Sequence, residues 1–317
     1  MNLKKTYNRK KVALIGAGRW GYNILNTLNY IQELDLTHVV TSKELKTPDK
    51  NQNPKTLSDW NHLLDCEIDA VLIATPPHTH ACILEEFIKK HIPCFVEKPL
   101  CLDYKTALFL KNLSLTEGVP VFVDHTQLYQ PVLGEILTDI NFSSVEKINL
   151  AGMGNGPYRE NLSVLWDWGP HDISIMLKML QKMPNFVSGY SADTFTKYVF
   201  YYDNNLNVSI TNSNLSMVKK RSIDVYEKDR ILTFGEFPKS EYSIYKKSNS
   251  SNNLLNCVKS ISYENEKDKP LYRALKYFAG SLLNNRMDFD LDIACDVIKL
   301  LELADKAINL NERIAVS

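Results

Sequence analysis

The sequence predicts an α/β N-terminal domain on a doubly wound parallel sheet, followed by an α+β domain with a mostly antiparallel open sheet. Three observations carry that expectation. Apolar strand-like runs alternate with helical segments up to about residue 126, and a G-x-G-x-x-G stands between the first run and the first helix. Beyond residue 140, short strand-like runs follow one another between Asn, Asp, Ser and Gly turns. The expected domains are residues 1–126, of nucleotide-binding type, and residues 127–317.

In order along the chain, "KVALIGAG" reads as a buried strand, and Ile24, Leu25, Leu28 and Ile31 recur at helical spacing after it. "LTHVV" is a second short strand, and Ser58 is placed to cap a short helix through "DWNHLLD". "IDAVLIATPP" is a strand stopped by prolines, "HTHACILEEFIKKH" a helix, and "PCFVEKP" a strand. "DYKTALFLKNLSLTEG" is a helix ended by Gly118, and "VPVFVDH" a further strand. After the helical "PVLGEILTDI", strands are expected at "VEKINLAGMG", "NFVSGYSA", "KYVFYYDN", "NVSITNSN", "RSIDVYEKD" and "RILTFGEF". A helix beginning at Pro170 interrupts them, "SNSSNNLLN" reads as a polar loop, and two helices within Leu271–Leu283 and Leu291–Leu310 close the chain.

Bulk properties narrow the function classes. With 37 basic and 37 acidic residues the formal charge is zero, which gives nucleic acid no electrostatic attraction. The start is basic and then briefly apolar, but the apolar run is too short for a signal peptide core and is interrupted by Arg19. No stretch has the length of a membrane-spanning helix, so neither nucleic acid nor membrane is an expected partner. Six cysteines without CxxC spacing read as scattered reduced thiols in a cytoplasmic protein.

The glycine motif is Gly16-Ala17-Gly18-Arg19-Trp20-Gly21. Gly16 permits the tight turn, Gly18 lets backbone N–H groups approach a pyrophosphate, and Gly21 lets helix and strand pack closely. The helix N-terminus, at Arg19 and Trp20, favours the phosphate charge. A dinucleotide cofactor is therefore expected. Where an NAD-preferring domain carries an acidic residue, this chain has Thr41, Ser42 and Lys43. Hydroxyls and an ammonium suit a 2′-phosphate, which inclines the cofactor toward NADP, while the nearby Glu44 keeps NAD open.

"ATPPHTH" and "VEKPL" stand at strand ends, where ligands bind in open α/β sheets. Ala74, Thr75, Pro76 and His80 on one, and Glu97 with Lys98 on the other, are expected to line the cofactor groove. His78 and His80 have no Cys or carboxylate at metal-site spacing, so no metal is expected. Lys98, just past a buried strand, is a candidate proton donor or acceptor, because a positively charged nicotinamide beside it would lower its pKa. The Lys98–Pro99 bond is a candidate cis peptide.

The segment "VLWDWGPHDISIM" by itself reads as a helix start, with Pro170 at the first helical position and Asp172 complementing the positive helix end. If the helix runs further back, Asp167 and His171 fall on one face four residues apart.

Taken together, "GAGRWG", "ATPPHTH", "EKPL", "VDHTQLYQP" and "LWDWGPHDIS" resemble, in that order, the glucose–fructose oxidoreductase/inositol dehydrogenase (Gfo/Idh/MocA) family. The likeness is strongest over residues 11–180, and the "HTQLYQP" and "WDWGPHD" pair looks like a branch associated with sugar-nucleotide and surface-polysaccharide metabolism. The resemblance implies an NAD(P)-dependent dehydrogenase or reductase acting on a hydroxyl or keto carbon of a sugar, cyclitol or nucleotide-sugar. It implies that Lys98 touches both nicotinamide and substrate, and that His171, with Asp167, transfers the proton. It also implies a homo-oligomer formed through the open C-terminal sheet. Tyr158 and Arg159 in "NGPYRE" are expected on the substrate side, where the arginine fork suits a phosphate or carboxylate. Asp124 and His125 are left outside the catalytic set, as cofactor contacts or strand caps. Two departures stand out: Thr41 replaces a frequent acidic residue, and "NLSVL" replaces a glycine pair before the Asp-x-x-x-His element. The alternative reading is a catalytically silent dinucleotide-binding regulator on the same scaffold. The presence of Lys98, Asp167 and His171 together argues against it.

Overall fold

The computed structural model describes residues 9–44, 53–156, 162–237, 239–248, 255–265, 267, 269–285, 289 and 291–316. In chain order its main elements begin with β1 (Lys10–Ile15), α1 (Arg19–Leu28), β2 (Leu34–Val40), β3 (Lys55–Leu57), β4 (Ala70–Ile73), α2 (His80–Lys89), β5 (Cys94–Glu97), α3 (Tyr104–Glu117) and β6 (Val121–Asp124). There follow α4 (Pro131–Asp139), β7 (Val145–Asn155), α5 (Val164–Leu180), β8 (Phe186–Ala192), β9 (Phe195–Tyr201), β10 (Asn207–Ser213), β11 (Leu215–Glu227) and β12 (Arg230–Gly235). The last are β13 (Glu241–Lys247), β14 (Leu255–Ser262), α6 (Pro270–Asn284), α7 (Asp292–Leu310) and β15 (Ile314–Ala315).

The chain divides into two units, Met1–Thr126 with Lys269–Ile298, and Gln127–Asp268 with Lys299–Ser317. The expected second domain, residues 127–317, is therefore not one continuous stretch, since residues 269–298 return to the first unit. The physical reason lies in the α6 sequence. Its apolar stripe of Leu271, Ala274, Leu275, Phe278 and Leu282 is buried, and Phe278 stands edge-on to Phe95 of β5, with ring centroids 5.4 Å apart. Phe95 in turn stacks on Phe122 of β6 at 5.0 Å. Each such ring contributes about 1.5–3 kcal/mol by leaving water, a burial the first unit lacks without α6.

The sheet of the first unit has six strands in the order β3-β2-β1-β4-β5-β6, and every pairing is parallel. β4 and β5 are buried along their whole length, as strands covered on both faces must be. The chain reverses direction across the sheet between β1 and β4, the arrangement that opens a crevice at the carboxyl ends of the strands. The short helix after β3 is a 3-10 turn over Trp60–Asp65, and its cap is Asp59, which accepts the Asn61 N–H, rather than Ser58.

In the second unit nine strands run β14-β13-β12-β11-β7-β10-β9-β8-β15. All pairings are antiparallel except that of β10 with β7, which is parallel. Alternate residues of the central strands, among them Ile148, Leu150, Val208, Ile210, Tyr198 and Phe200, are buried. α5 packs on β7, β9 and β10, and Ile173, Met176 and Leu177 are among its buried residues.

Candidate dinucleotide and catalytic site

Three glycines shape the turn from β1 into α1, each for a separate steric reason. Gly16 has φ +95°, and a Cβ there would lie 2.8 Å from the Ala74 carbonyl. A Cβ on Gly21 would lie 1.9 Å from the Gly16 oxygen, so only glycine lets helix and turn approach this closely. Gly18 differs: a Cβ there meets nothing within 4 Å. It is the N-cap of α1 and offers no side chain to the first-turn N–H groups. Open space before uncapped donors at a helix N-terminus suits a pyrophosphate. The residues present therefore fit a dinucleotide.

Ala74–Pro76, Thr41–Lys43 and Glu97–Lys98 stand at the carboxyl ends of β4, β2 and β5, on the same edge of the sheet as the glycine turn. The Thr41 hydroxyl accepts the Lys43 N–H at 3.1 Å, which shapes the turn and leaves Ser42 and Lys43 exposed. His80 is fully buried, its Nδ1 2.9 Å from the Pro99 oxygen and its Nε2 2.9 Å from the Thr75 oxygen. Burial lowers its pKa against the pull of those carbonyls. Its ring is a strut between two ligand-edge loops rather than a surface for the cofactor, and His78 points away into solvent exposure. Among the described residues no cluster of His, Cys, Asp or Glu is suited to a metal. No helix among them is long and apolar enough to cross a membrane. The Lys98–Pro99 peptide is cis.

Immediately before Lys98, Glu97 is the in-register partner of Asp124 on the adjacent parallel strand. Both are buried, at 6% and 0% exposure. Burial first, and the charge of Asp124 second, push the Glu97 pKa well above the carboxylate range. Burial carries Asp124 up to about 6, with the neighbouring Glu97, Thr126 and Lys98 opposing it. His125, 4% exposed, is held down to about 4 by burial and by the Lys98 ammonium. The sequence reading left Asp124 and His125 outside the catalytic set. Two ionisable residues ending a buried strand were the signal available for them.

In the second unit, α5 starts six residues before Pro170. Ser163 caps it by accepting the Trp166 N–H, so Pro170 lies inside the helix, not at its first position. Asp167 therefore sits in the first turn, where its charge complements the helix dipole. Asp172 does not serve that end, as its side chain is engaged elsewhere: Oδ1 accepts Arg221 Nη1 at 3.0 Å and Oδ2 accepts Asn212 Nδ2 at 2.6 Å. With the helix continuous through Asp167 and His171, their four-residue spacing puts both on one face, each half-buried. Trp168 lies over β7, where Gly152 and Gly154 leave it room; a Cβ on either would come within 3.0 and 3.3 Å of the indole. Tyr158 and Arg159 lie outside the described residues.

Residues 10–125 match the oxidoreductase family with an NAD-binding Rossmann fold, Gfo/Idh/MocA. That match is confined to the first unit. Among curated proteins, UDP-N-acetylglucosamine 3-dehydrogenase of Acidithiobacillus ferrooxidans is 24% identical over 119 residues. That match spans 37% of this chain and 38% of the enzyme. Among solved structures, a presumed oxidoreductase from Magnetospirillum magnetotacticum superposes with a TM-score of 0.80 at 27% identity, over 93% of this chain and 99% of that one. The A. ferrooxidans dehydrogenase itself gives a TM-score of 0.79 at 17% identity, covering 95% and 98% of the two chains. GenD2 from gentamicin A biosynthesis, solved with NAD, gives 0.81 at 19%, covering 98% and 97%. At 17% and 19% identity these last two show a shared fold alone.

Proposed function

We propose that this protein is an NAD(P)-dependent oxidoreductase that interconverts a hydroxyl and a keto group on a sugar, with a nucleotide-linked sugar as the preferred class. The observation that carries the reading is the glycine turn: open space at Gly18 before the uncapped N-terminus of α1, on the ligand edge of a parallel sheet. Lys98 at the end of β5 on that edge is the second element. The activity of the A. ferrooxidans relative supports the substrate class.

The dinucleotide supplies or accepts the hydride. In this reading Lys98 hydrogen-bonds the reacting oxygen and stabilises its developing charge. His171 takes the hydroxyl proton in oxidation and returns it in reduction, since imidazole titrates near neutral pH. Asp167, one helical turn away, orients the ring. The hydroxyl of Ser42 and the ammonium of Lys43, both exposed beyond β2, favour NADP over NAD. Arg159 is assigned to an anionic group of the substrate, and the open sheet of the second unit to self-association.

The test is absorbance at 340 nm with UDP-N-acetylglucosamine and a panel of free sugars, inositols and other nucleotide-sugars, run with NAD and NADP separately. Lys98→Met and His171→Ala should each lower kcat by about 10²-fold or more. Turnover unchanged in both overturns the site assignment. No turnover of any panel member by folded, cofactor-bound protein overturns the enzyme reading. A lower Kd for NAD than for NADP overturns the cofactor preference.

A further inference from the structure

We propose that Trp168 recognises the substrate's sugar ring: its indole face carries the C–H face of the ring that meets His171, and its Nε1–H donates to a hydroxyl of that ring. The placement follows from α5. At about 100° per residue, His171 falls between Asp167, about 40° to one side, and Trp168, about 60° to the other. Residues three apart on a helix have Cβ atoms about 5–6 Å apart, close to the width of one pyranose ring. A ring held at His171 therefore reaches the indole. A nucleobase, separated from the sugar by a ribose and two phosphates, lies beyond it in an extended nucleotide-sugar.

Three neighbours fix the indole. Its six-membered ring is seated on β7, where a Cβ on Gly152 would lie 3.0 Å from Cε3 and one on Gly154 3.3 Å from Cη2. The Arg221 guanidinium carbon stands 5.8 Å from the ring centroid, and Arg221 is itself held by Asp172 at 3.0 Å. The rest of the side chain stays partly exposed, beside the half-buried Asp167 and His171. The two glycines meet atoms of the six-membered ring alone, which leaves the pyrrole edge clear of them. Its Nε1–H makes no hydrogen bond among the described residues and, unlike that of Trp20, is not enclosed. An aromatic face backed by rigid backbone and edged by an open donor matches a sugar ring, which is apolar on its C–H face and rimmed with hydroxyls. The assignment rests on the reading of the protein as a sugar oxidoreductase that reacts at His171.

The experiment compares wild type, Trp168→Leu and Trp168→Phe, with the thermal midpoint of each recorded to establish that it folds. The probe is UDP-N-acetylglucosamine, or whichever panel sugar is turned over at 340 nm, with UDP as a competitor that lacks the sugar ring. In Trp168→Leu the KM for the sugar substrate should rise about tenfold and kcat should fall by less. The Ki of UDP and the KM of the dinucleotide should stay near wild type, because neither ligand presents the sugar ring to the indole. Trp168→Phe keeps a ring and loses the N–H, so its KM should fall between the two, and it decides the matter if the leucine variant does not fold. An unmoved KM in either folded variant overturns the proposal, as does a Ki for UDP that rises as far as the KM. No turnover by the wild type overturns the functional reading and this assignment with it. Turnover with an unmoved KM overturns this assignment alone.

Discussion

Asp172 and Arg221 form an ion pair with 3.0 Å between Oδ1 and Nη1, the carboxylate 1% and the guanidinium 8% exposed at the side chain. Asn212 donates to the other carboxylate oxygen and is itself held by the Tyr198 hydroxyl at 2.9 Å. The pair ties α5 to β11 one residue after His171, so the helix face bearing Asp167 and His171 is fixed from behind.

Removing Asp172 leaves the buried Arg221 guanidinium facing, among the described residues, only the partly exposed Glu236 carboxylate, 3.8 Å from its Nε. Asp172→Asn should cost about 3–5 kcal/mol of stability, and the thermal midpoint should fall accordingly. Asp172→Leu combined with Arg221→Met should recover much of that loss, because neither buried charge remains and the partly exposed Glu236 can reach water. A single variant with unchanged thermal midpoint would mean that the pair does not hold the helix.

The glycines of the first turn should separate stability from binding. Gly21→Ala drives a Cβ into the Gly16 carbonyl and should destabilise the fold by about 1–3 kcal/mol or more. Gly18→Ala points a methyl into open space, so the fold should change little while dinucleotide affinity falls about tenfold or more. Thermal denaturation and isothermal titration calorimetry with NAD and NADP check both halves. Equal binding by wild type and Gly18→Ala would remove the cradle from that position.

His125 should give a signature in acid. Its pKa in the fold is about 4, against 6.5 for the free side chain, so the folded protein binds the proton less readily than the unfolded chain. The stability it contributes is complete above pH 6.5 and is lost as pH falls toward 4. Asp124 opposes this: its raised pKa of about 6 means stability is gained as pH falls through that value. His125→Asn should therefore flatten the loss of thermal midpoint between pH 6.5 and 4, and Asp124→Asn should steepen it. Parallel curves for wild type and His125→Asn would contradict a buried neutral imidazole.

The parts legible in sequence are those where burial and local conformation coincide. β4 and β5 are apolar throughout because both faces are covered, and the glycine turn is written by steric needs that only glycine meets. Pro170 misled because proline favours a first helical turn, yet α5 takes it at its seventh position, giving up one backbone hydrogen bond inside a helix held by Ser163 and Asp172. β13 and β14 were not read as strands; β14 is exposed along most of its length, so no alternation of burial marks its sequence. The Glu97–Asp124 pair is a matter of register between two strands, and no local pattern encodes register.

Residues 269–298 belong to the first unit and residues 299–317 to the second, where β15 completes the edge beside β8. Synthesis from the N-terminus therefore leaves both units unfinished until the last helices emerge. The nascent first unit exposes Phe95 and Phe122 while the whole second sheet is being made, because Phe278 comes later in the chain. Fragments ending at Thr126 would carry that uncovered aromatic surface permanently, and a cell expressing them would meet an aggregation-prone half-domain rather than a minimal cofactor module.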